Sequence, residues 1–92
     1  MRCVELVYIH PRALVLCRDF RDGKYVYSLH LEPAEEWRAS FGVSGRKIAE
    51  FSSPNESEAL DRVVEHLMQN IGRLGFSMKT LLHHMIYKLA TR

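Results

Sequence analysis

The sequence predicts an α+β fold in which an antiparallel sheet of four to five strands, a meander of hairpins, is followed by two C-terminal helices packed on one face. In the first part of the chain, apolar residues recur at every second position, the period of a strand. In the last forty residues they recur three and four positions apart, as in an amphipathic helix. A length of 92 residues fits one domain. We expect residues 1–52 to be mainly β and residues 53–92 helical.

The hairpin around Asp22-Gly23 is the strongest local prediction. Asp-Gly tolerates the positive φ angles of a type I′ turn, and alternating segments lie on both sides of it. The later segment is predicted to face the core with one set of side chains (Tyr25, Tyr27, Leu29, Leu31) and water with the other (Val26, Ser28, His30, Glu32). A further strand, Cys3 to Ile9, is predicted to pair with the earlier segment across His10-Pro11-Arg12.

The middle of the chain allows two interpretations. Pro33 followed by acidic residues is typical of a short helix. Trp37 to Val43 instead alternates like a strand, and Arg46 to Phe51 reads as another strand after the turn signal Ser44-Gly45. We favour a second hairpin here.

Two helices are predicted at the C-terminal side. Ser53-Pro54-Asn55-Glu56 has the form of a capping box, with Ser53 as the N-cap. Gly72 or Gly75 is expected to end the first helix in a left-handed conformation, and Ser77 to begin the second. The expected apolar stripes are Leu60, Val63, Val64, Leu67, Met68 and Ile71 in the first helix, and Met78, Leu81, Leu82, Met85, Ile86 and Leu89 in the second.

Composition indicates a globular domain acting in the cytoplasm. Hydrophobic residues make up 47% and the formal net charge is only +2, so neither disorder nor a uniformly basic surface is indicated. The longest apolar run, Ala13 to Cys17, is far shorter than a membrane span, and Glu5 lies too early for a signal peptide. Cys3 and Cys17 are therefore expected to be reduced thiols, although strand pairing would allow a bridge.

The sequence favours no enzyme class. His83 and His84 are adjacent, so on a helix their side chains diverge by about 100° and do not form a typical pair of metal ligands. Glu56 and Glu58 lie at a helix N-terminus, where the helix dipole alone favours acids. No nucleophile elbow or phosphate-binding glycine loop occurs. We therefore expect a protein without catalytic activity, cofactor or metal.

Charge distribution supplies the candidate binding residues. No acidic residue follows Glu65, so the C-terminal part is electropositive while the middle is acidic. Such an end suits phosphate or an acidic protein surface; alternatively, its cations only complement a helix dipole and aid solubility. The candidate partner-binding residues are Arg73, Lys79, His83, His84, Lys88 and Arg92.

One sheet face is expected to stay uncovered, because two helices on one side cover one face only. That face would carry Val15, Cys17, Val26, Ser28 and His30, and it would remain for a partner or a second copy.

The passage from Gly45-Arg46-Lys47-Ile48-Ala49-Glu50-Phe51 into Ser53-Pro54-Asn55-Glu56-Ser57-Glu58-Ala59-Leu60 resembles, in size and layout, small orphan proteins of phages and mobile elements, the anti-CRISPR proteins among them. The resemblance covers roughly residues 13–71. It implies docking on a larger nucleoprotein machine, near its nucleic-acid channel or on its guide RNA. The layout is also similar to double-stranded-RNA-binding domains, but Glu56 and Glu58 stand where that family has a basic helix start.

Two functional hypotheses follow. The first is a non-catalytic binding protein that inhibits or regulates a larger protein or ribonucleoprotein complex. The alternative is direct RNA or DNA binding through the basic C-terminal helix. A homodimer through the uncovered face or an edge strand is a third, structural possibility.

Overall fold

A computed structural model describes residues 2–33, 46–73 and 76–91 and confirms the predicted α+β architecture. Four strands form one antiparallel sheet in the order β1-β2-β3-β4. Their bounds are Arg2–Ile9 (β1), Arg12–Arg21 (β2), Lys24–Pro33 (β3) and Arg46–Ser53 (β4). Two helices follow, Glu56–Asn70 (α1) and Phe76–Ala90 (α2), with a 3-10 turn at Ile71–Arg73 between them. Helix α1 packs on β3 and β4, and α2 packs on β1 and β2.

The β2–β3 hairpin has the predicted turn and register. Asp22 and Gly23 both have positive φ angles, 55° and 75°, as a type I′ turn requires. The flanking strands pair from Arg21 opposite Lys24 onward without a register shift. The tight turn therefore fixes which side chains of β2 and β3 share a face.

The main core lies between the sheet and the two helices. Leu16 and Leu29 are paired across β2 and β3, and both are fully buried. The helices contribute buried residues from their inner faces: Ala59, Val63 and Leu67 from α1, and Leu81, Leu82 and Met85 from α2. The predicted stripe of α2 is confirmed, since its remaining members pack against this core. In α1, Met68 departs from the prediction and is 60% exposed.

The opposite sheet face is not open. Val15, Cys17, Val26, Ser28 and His30, predicted to remain uncovered, are all buried. Part of the cover comes from the edge strand itself, because Cys3 and Leu6 of β1 pack against Val15 and Cys17. The prediction of a free face for a second copy is therefore wrong for these five residues.

The two cysteines also differ from the prediction. Cys3 and Cys17 lie directly opposite each other in the β1–β2 ladder and form a disulfide, so the described chain contains no free thiol. The expectation of reduced thiols rested on compartment alone. The register of the two strands, which brings the two side chains together, favoured a disulfide instead.

Helix α1 begins two residues later than the capping-box prediction requires. Asn55, not Ser53, is the N-cap, and its side-chain oxygen accepts a hydrogen bond from the backbone N–H of Glu58 at 3.2 Å. Ser53 is the last residue of β4, and its hydroxyl donates to Glu58 Oε2 at 3.1 Å. Continued strand pairing as far as Ser53 opposite Tyr25 thus displaces the helix start.

At its other end α1 stops without a left-handed glycine at position 72. The C-cap Ile71 is right-handed, and Gly72 lies within the 3-10 turn without a positive φ. The predicted roles of Gly75 and of residues 34–43, including the proposed strand from Trp37 to Val43, fall outside the described residues.

Candidate interaction surface on helix α2

Helix α2 divides sharply into a buried and an exposed side. Leu81, Leu82 and Met85 are at most 3% exposed and point into the core. His83, His84 and Tyr87 lie on the outer side, and Tyr87 is 69% exposed. The division follows from the spacing of the apolar residues, which places the helix with its stripe against β1 and β2.

The three outer side chains border one shallow depression of about 280 Å³. Tyr87 follows His83 and His84 by four and three positions, so all three are neighbours on the helix surface. None of the three rings hydrogen-bonds to another side chain of the described chain. We define His83, His84 and Tyr87 as the α2 ring cluster.

The structure brings together only some of the six predicted binding residues. His83 and His84 belong to the α2 ring cluster, Lys79 is half-buried nearby on the same helix, and Lys88 is exposed. The backbone of Arg73 lies in the 3-10 turn, but its side chain and the whole of Arg92 are outside the described part.

Lys88 is not merely solvated, as the charge pattern suggested. Its ammonium lies 3.8 Å from Glu5 Oε2 of β1, and the Glu5 side chain is only 20% exposed. One of the two cations of α2 is thus partly neutralised by the sheet. Lys79 is the cation for which no such acidic neighbour is seen among the described residues.

Sequence reasoning missed Tyr87 as a surface residue of interest. It had considered His83 and His84 as a metal pair and as part of the basic end, without their aromatic neighbour. The signal was available, since Tyr87 stands at helical spacing from both histidines and outside the apolar stripe.

Two other depressions are occupied by interactions within the chain. In one of about 200 Å³, the ring of His66 lies 5.2 Å from that of Phe51, and Arg62 bonds to Glu58 at 3.0 Å and to the Ser52 carbonyl at 3.1 Å.

In the other, of about 250 Å³ beside the β2–β3 turn, Arg21 pairs with Asp19 at 3.0 Å and with Glu50 at 3.2 Å. Their charged groups are therefore already engaged, in contrast to the α2 ring cluster.

A polar cluster joins the sheet to the start of α1. The Tyr27 hydroxyl donates to Glu56 Oε1 at 2.7 Å, and Arg18 Nη1 donates to the same oxygen at 2.9 Å. Burial, and then the hydrogen bond to Glu56, raise the pKa of Tyr27. The hydrogen bond to Glu56 likewise raises the pKa of Arg18. All three groups satisfy one another, so we assign this cluster to fixing α1 on the sheet.

The described residues contain no group of three or more histidine, cysteine, aspartate or glutamate side chains that could hold a metal ion. The imidazole and phenol rings of the α2 ring cluster can stack and hydrogen-bond, and the lysines of the helix add positive charge.

Comparison with known proteins adds no relative: no family model, no curated protein and no solved structure matches this chain. Within the described ranges, no helix has the length and apolar character needed to cross a membrane.

Proposed function

We propose that this protein is a non-catalytic binding protein that docks through the outer side of α2 onto a larger macromolecular complex and inhibits or regulates it. The observation that carries the proposal is the α2 ring cluster: three exposed rings border one depression on a helix that has no acidic residue. Exposed tyrosine is enriched at protein interfaces because its ring buries a large area at small entropic cost.

The partner surface is expected to be acidic. Lys79 and Lys88 flank the ring cluster along the helix, so a carboxylate-rich or phosphate-bearing surface is complementary to it. The layout resemblance to anti-CRISPR proteins agrees with a nucleoprotein complex as the partner. Docking on protein is favoured over direct binding to RNA or DNA, because Glu5 partly neutralises Lys88 and leaves few cations for phosphate.

The test is capture of a partner by the tagged protein from a bacterial lysate, at low and high salt, with and without nuclease. A double variant, His83→Ser with Tyr87→Ser, removes two rings of the cluster without touching the core. Lys24→Glu, at the start of β3, is the surface control. We expect the double variant to lose the partner and the control to keep it.

Two results would contradict the proposal: no macromolecule co-purifies under any condition, or the double variant captures the partner as well as the parent does. Capture that disappears with nuclease and falls steeply with salt would replace protein docking by direct nucleic-acid binding. Light scattering of the same preparation tests the homodimer, which a monomer at high concentration excludes.

Charge reversal gives a second, independent test of the same surface. Changing Lys79, Lys88 and Arg92 together to glutamate is expected to abolish binding, since like charges at an interface oppose association. Reversal at Lys88 also places two acids side by side, because Glu5 is its partner. Glu5→Gln is therefore the control: it breaks the same ion pair while leaving the charge of α2 unchanged, and it should bind normally.

We further propose that the protein acts in the cytoplasm. Fractionation of cells expressing the untagged protein tests this, and recovery from the exported fraction would contradict it. A disulfide in a cytoplasmic protein is usually transient or redox-sensing, and the same is expected of the Cys3–Cys17 bond.

A further inference from the structure

The Cys3–Cys17 disulfide joins two very different positions. Cys3 lies near the start of β1, the edge strand of the sheet, and is only partly buried. Cys17 lies in β2, an interior strand, and is 2% exposed. Immediately after Cys3 the β1–β2 register shifts, so the pairing is irregular on that side of the cysteine. The two cysteines are therefore unequally exposed to solvent as residues.

Unequal access decides how an external thiol can react with the bond. Exchange requires a thiolate to reach one sulfur, and the other sulfur leaves. From this arrangement we infer that Cys3–Cys17 is a thiol-exchange site, with Cys3 as the sulfur that an incoming thiol attacks and Cys17 as the leaving and resolving thiol. The inference does not depend on the proposed docking function.

The reaction is balanced with a thiol as the only co-reactant. The incoming thiolate forms a bond to Cys3 Sγ, the Cys3–Cys17 bond breaks, and its electron pair leaves on Cys17, which takes up a proton. A second thiolate then attacks the sulfur of the first reagent thiol, releasing the reagent disulfide and the Cys3 thiolate. The protein gains two electrons and two protons, and two reagent thiols are oxidised. In reverse, the Cys17 thiolate displaces the reagent from Cys3.

One polar side chain lies beside Cys17 in its otherwise apolar cluster with Ala13 and Val15. Ser28 lies directly opposite Cys17 in the β2–β3 ladder, so the two side chains share the same face of the sheet. Ser28 Oγ is 2.9 Å from Nε2 of His30, which is buried on that face. When Nε2 donates to Oγ, the Ser28 hydroxyl can exchange its resting partner for a thiolate that forms on Cys17. Ser28 is thus a positioning residue for the exchange.

Single-cysteine variants test the assignment. Cys17→Ser and Cys3→Ser are each incubated, folded, with oxidised glutathione, and mixed-disulfide formation is followed by mass spectrometry. We expect Cys3 to react at least about tenfold faster than Cys17, since buried cysteines are inert. In urea both should react, which shows that each thiol is competent. Equal rates in two variants that retain native circular dichroism would overturn the assignment.

The wild-type protein supplies a test that does not depend on variants folding. Reduced glutathione in limiting amount, followed by acid quench and peptide mapping, should trap glutathione on Cys3. Glutathione found on Cys17, or a bond that resists excess glutathione until the protein unfolds, would refute the proposal.

The role of Ser28 has its own readout. Ser28→Ala should slow reduction of the wild-type bond by about tenfold, the loss expected for one hydrogen bond to a charged group. The same change in the Cys17→Ser background should leave the reaction of Cys3 with oxidised glutathione unchanged, and Ser28→Thr should restore the rate. A purely structural serine would alter both reactions or neither, and either result removes Ser28 from the mechanism.

Discussion

Removing the hydroxyl of Tyr27 tests how α1 is held on the sheet. The Tyr27 ring is fully buried, and its hydroxyl donates to Glu56 Oε1 at 2.7 Å, where Arg18 also donates. A hydrogen bond to a charged group contributes about 1.5–3 kcal/mol to stability. The Glu56 side chain is 37% exposed and keeps Arg18 as a partner. For Tyr27→Phe we therefore expect a loss around the lower limit of that range, about 1–2 kcal/mol.

A loss of this size is measurable in a domain of 92 residues. Each kcal/mol lowers the Tm of a small domain by about 4–8 °C, so Tyr27→Phe should melt about 4–16 °C below the parent. Urea titration followed by circular dichroism should show a lower midpoint with an unchanged slope.

Tyr25→Phe is the matched control, two residues earlier in the same strand. Tyr25 packs edge-on against Phe20 at 5.0 Å between ring centroids, and its hydroxyl makes no hydrogen bond to the described chain. Its removal should leave stability nearly unchanged. If both variants lose the same free energy, the Tyr27–Glu56 bond does not anchor the helix. In that case a double-mutant cycle should show Glu56→Gln lowering the free energy of unfolding as much in the Tyr27→Phe background as in the parent.

Four further predictions concern other parts of the molecule. Leu82→Ala should lower the free energy of unfolding by about 2–5 kcal/mol through cavity formation. Tyr87→Ala, on the opposite side of α2, should change it by about 0.5 kcal/mol or less. Equal losses of unfolding free energy in urea denaturation would mean that α2 packs on the sheet with a different face. Asn55→Ala should cost about 1 kcal/mol by removing the N-cap bond to Glu58, and Asn55→Asp, which keeps the acceptor, should retain stability; an alanine variant as stable as the parent contradicts the cap. The pKa of Tyr27 is raised on folding, so its stabilising contribution is complete below the ordinary tyrosine pKa of about 10 and declines as pH rises through the higher folded value. The free energy of unfolding should therefore fall more steeply with alkaline pH in the parent than in Tyr27→Phe. Identical pH dependence in the two proteins would argue against the shift. Reduction of Cys3–Cys17 should lower the free energy of unfolding by about 3 kcal/mol, the chain-entropy value for a loop of this length. An unchanged Tm after verified reduction would show that the disulfide does not contribute to stability.

The strands were predictable because their signals are local. The Asp22-Gly23 turn and the alternation on either side determine both the hairpin and the face of each side chain in β2 and β3. The buried stripe of α2 was predictable for the same reason, since it depends only on spacing within one helix.

The failures depended on contacts between distant segments. Nothing near Val26 or His30 in sequence shows that the second sheet face is covered, because burial there is a property of the assembled fold. The α1 start moved from Ser53 to Asn55 because β4 competes for Ser53 through its pairing with Tyr25.

Of the candidate site, the sequence indicated the histidines and lysines of α2 but could not show which are free. Lys88 is exposed, but its ion pair with Glu5 arises only when α2 lies across β1. The disulfide was not predicted for a related reason: the expected reducing compartment was given more weight than the register that places Cys3 opposite Cys17.

The contact between Glu5 and Lys88 has a consequence for synthesis on the ribosome. These residues are 88 − 5 = 83 positions apart in the sequence, yet they meet where α2 crosses β1. During elongation the sheet and α1 emerge first, so β3 and β4 can gain their cover while the nascent chain is still incomplete. Val7 and the neighbouring part of β2 must wait until α2 has left the exit tunnel. Until then the side of β1 and β2 that faces α2 lacks its helical cover, and a chaperone that holds nascent chains would find its binding surface there.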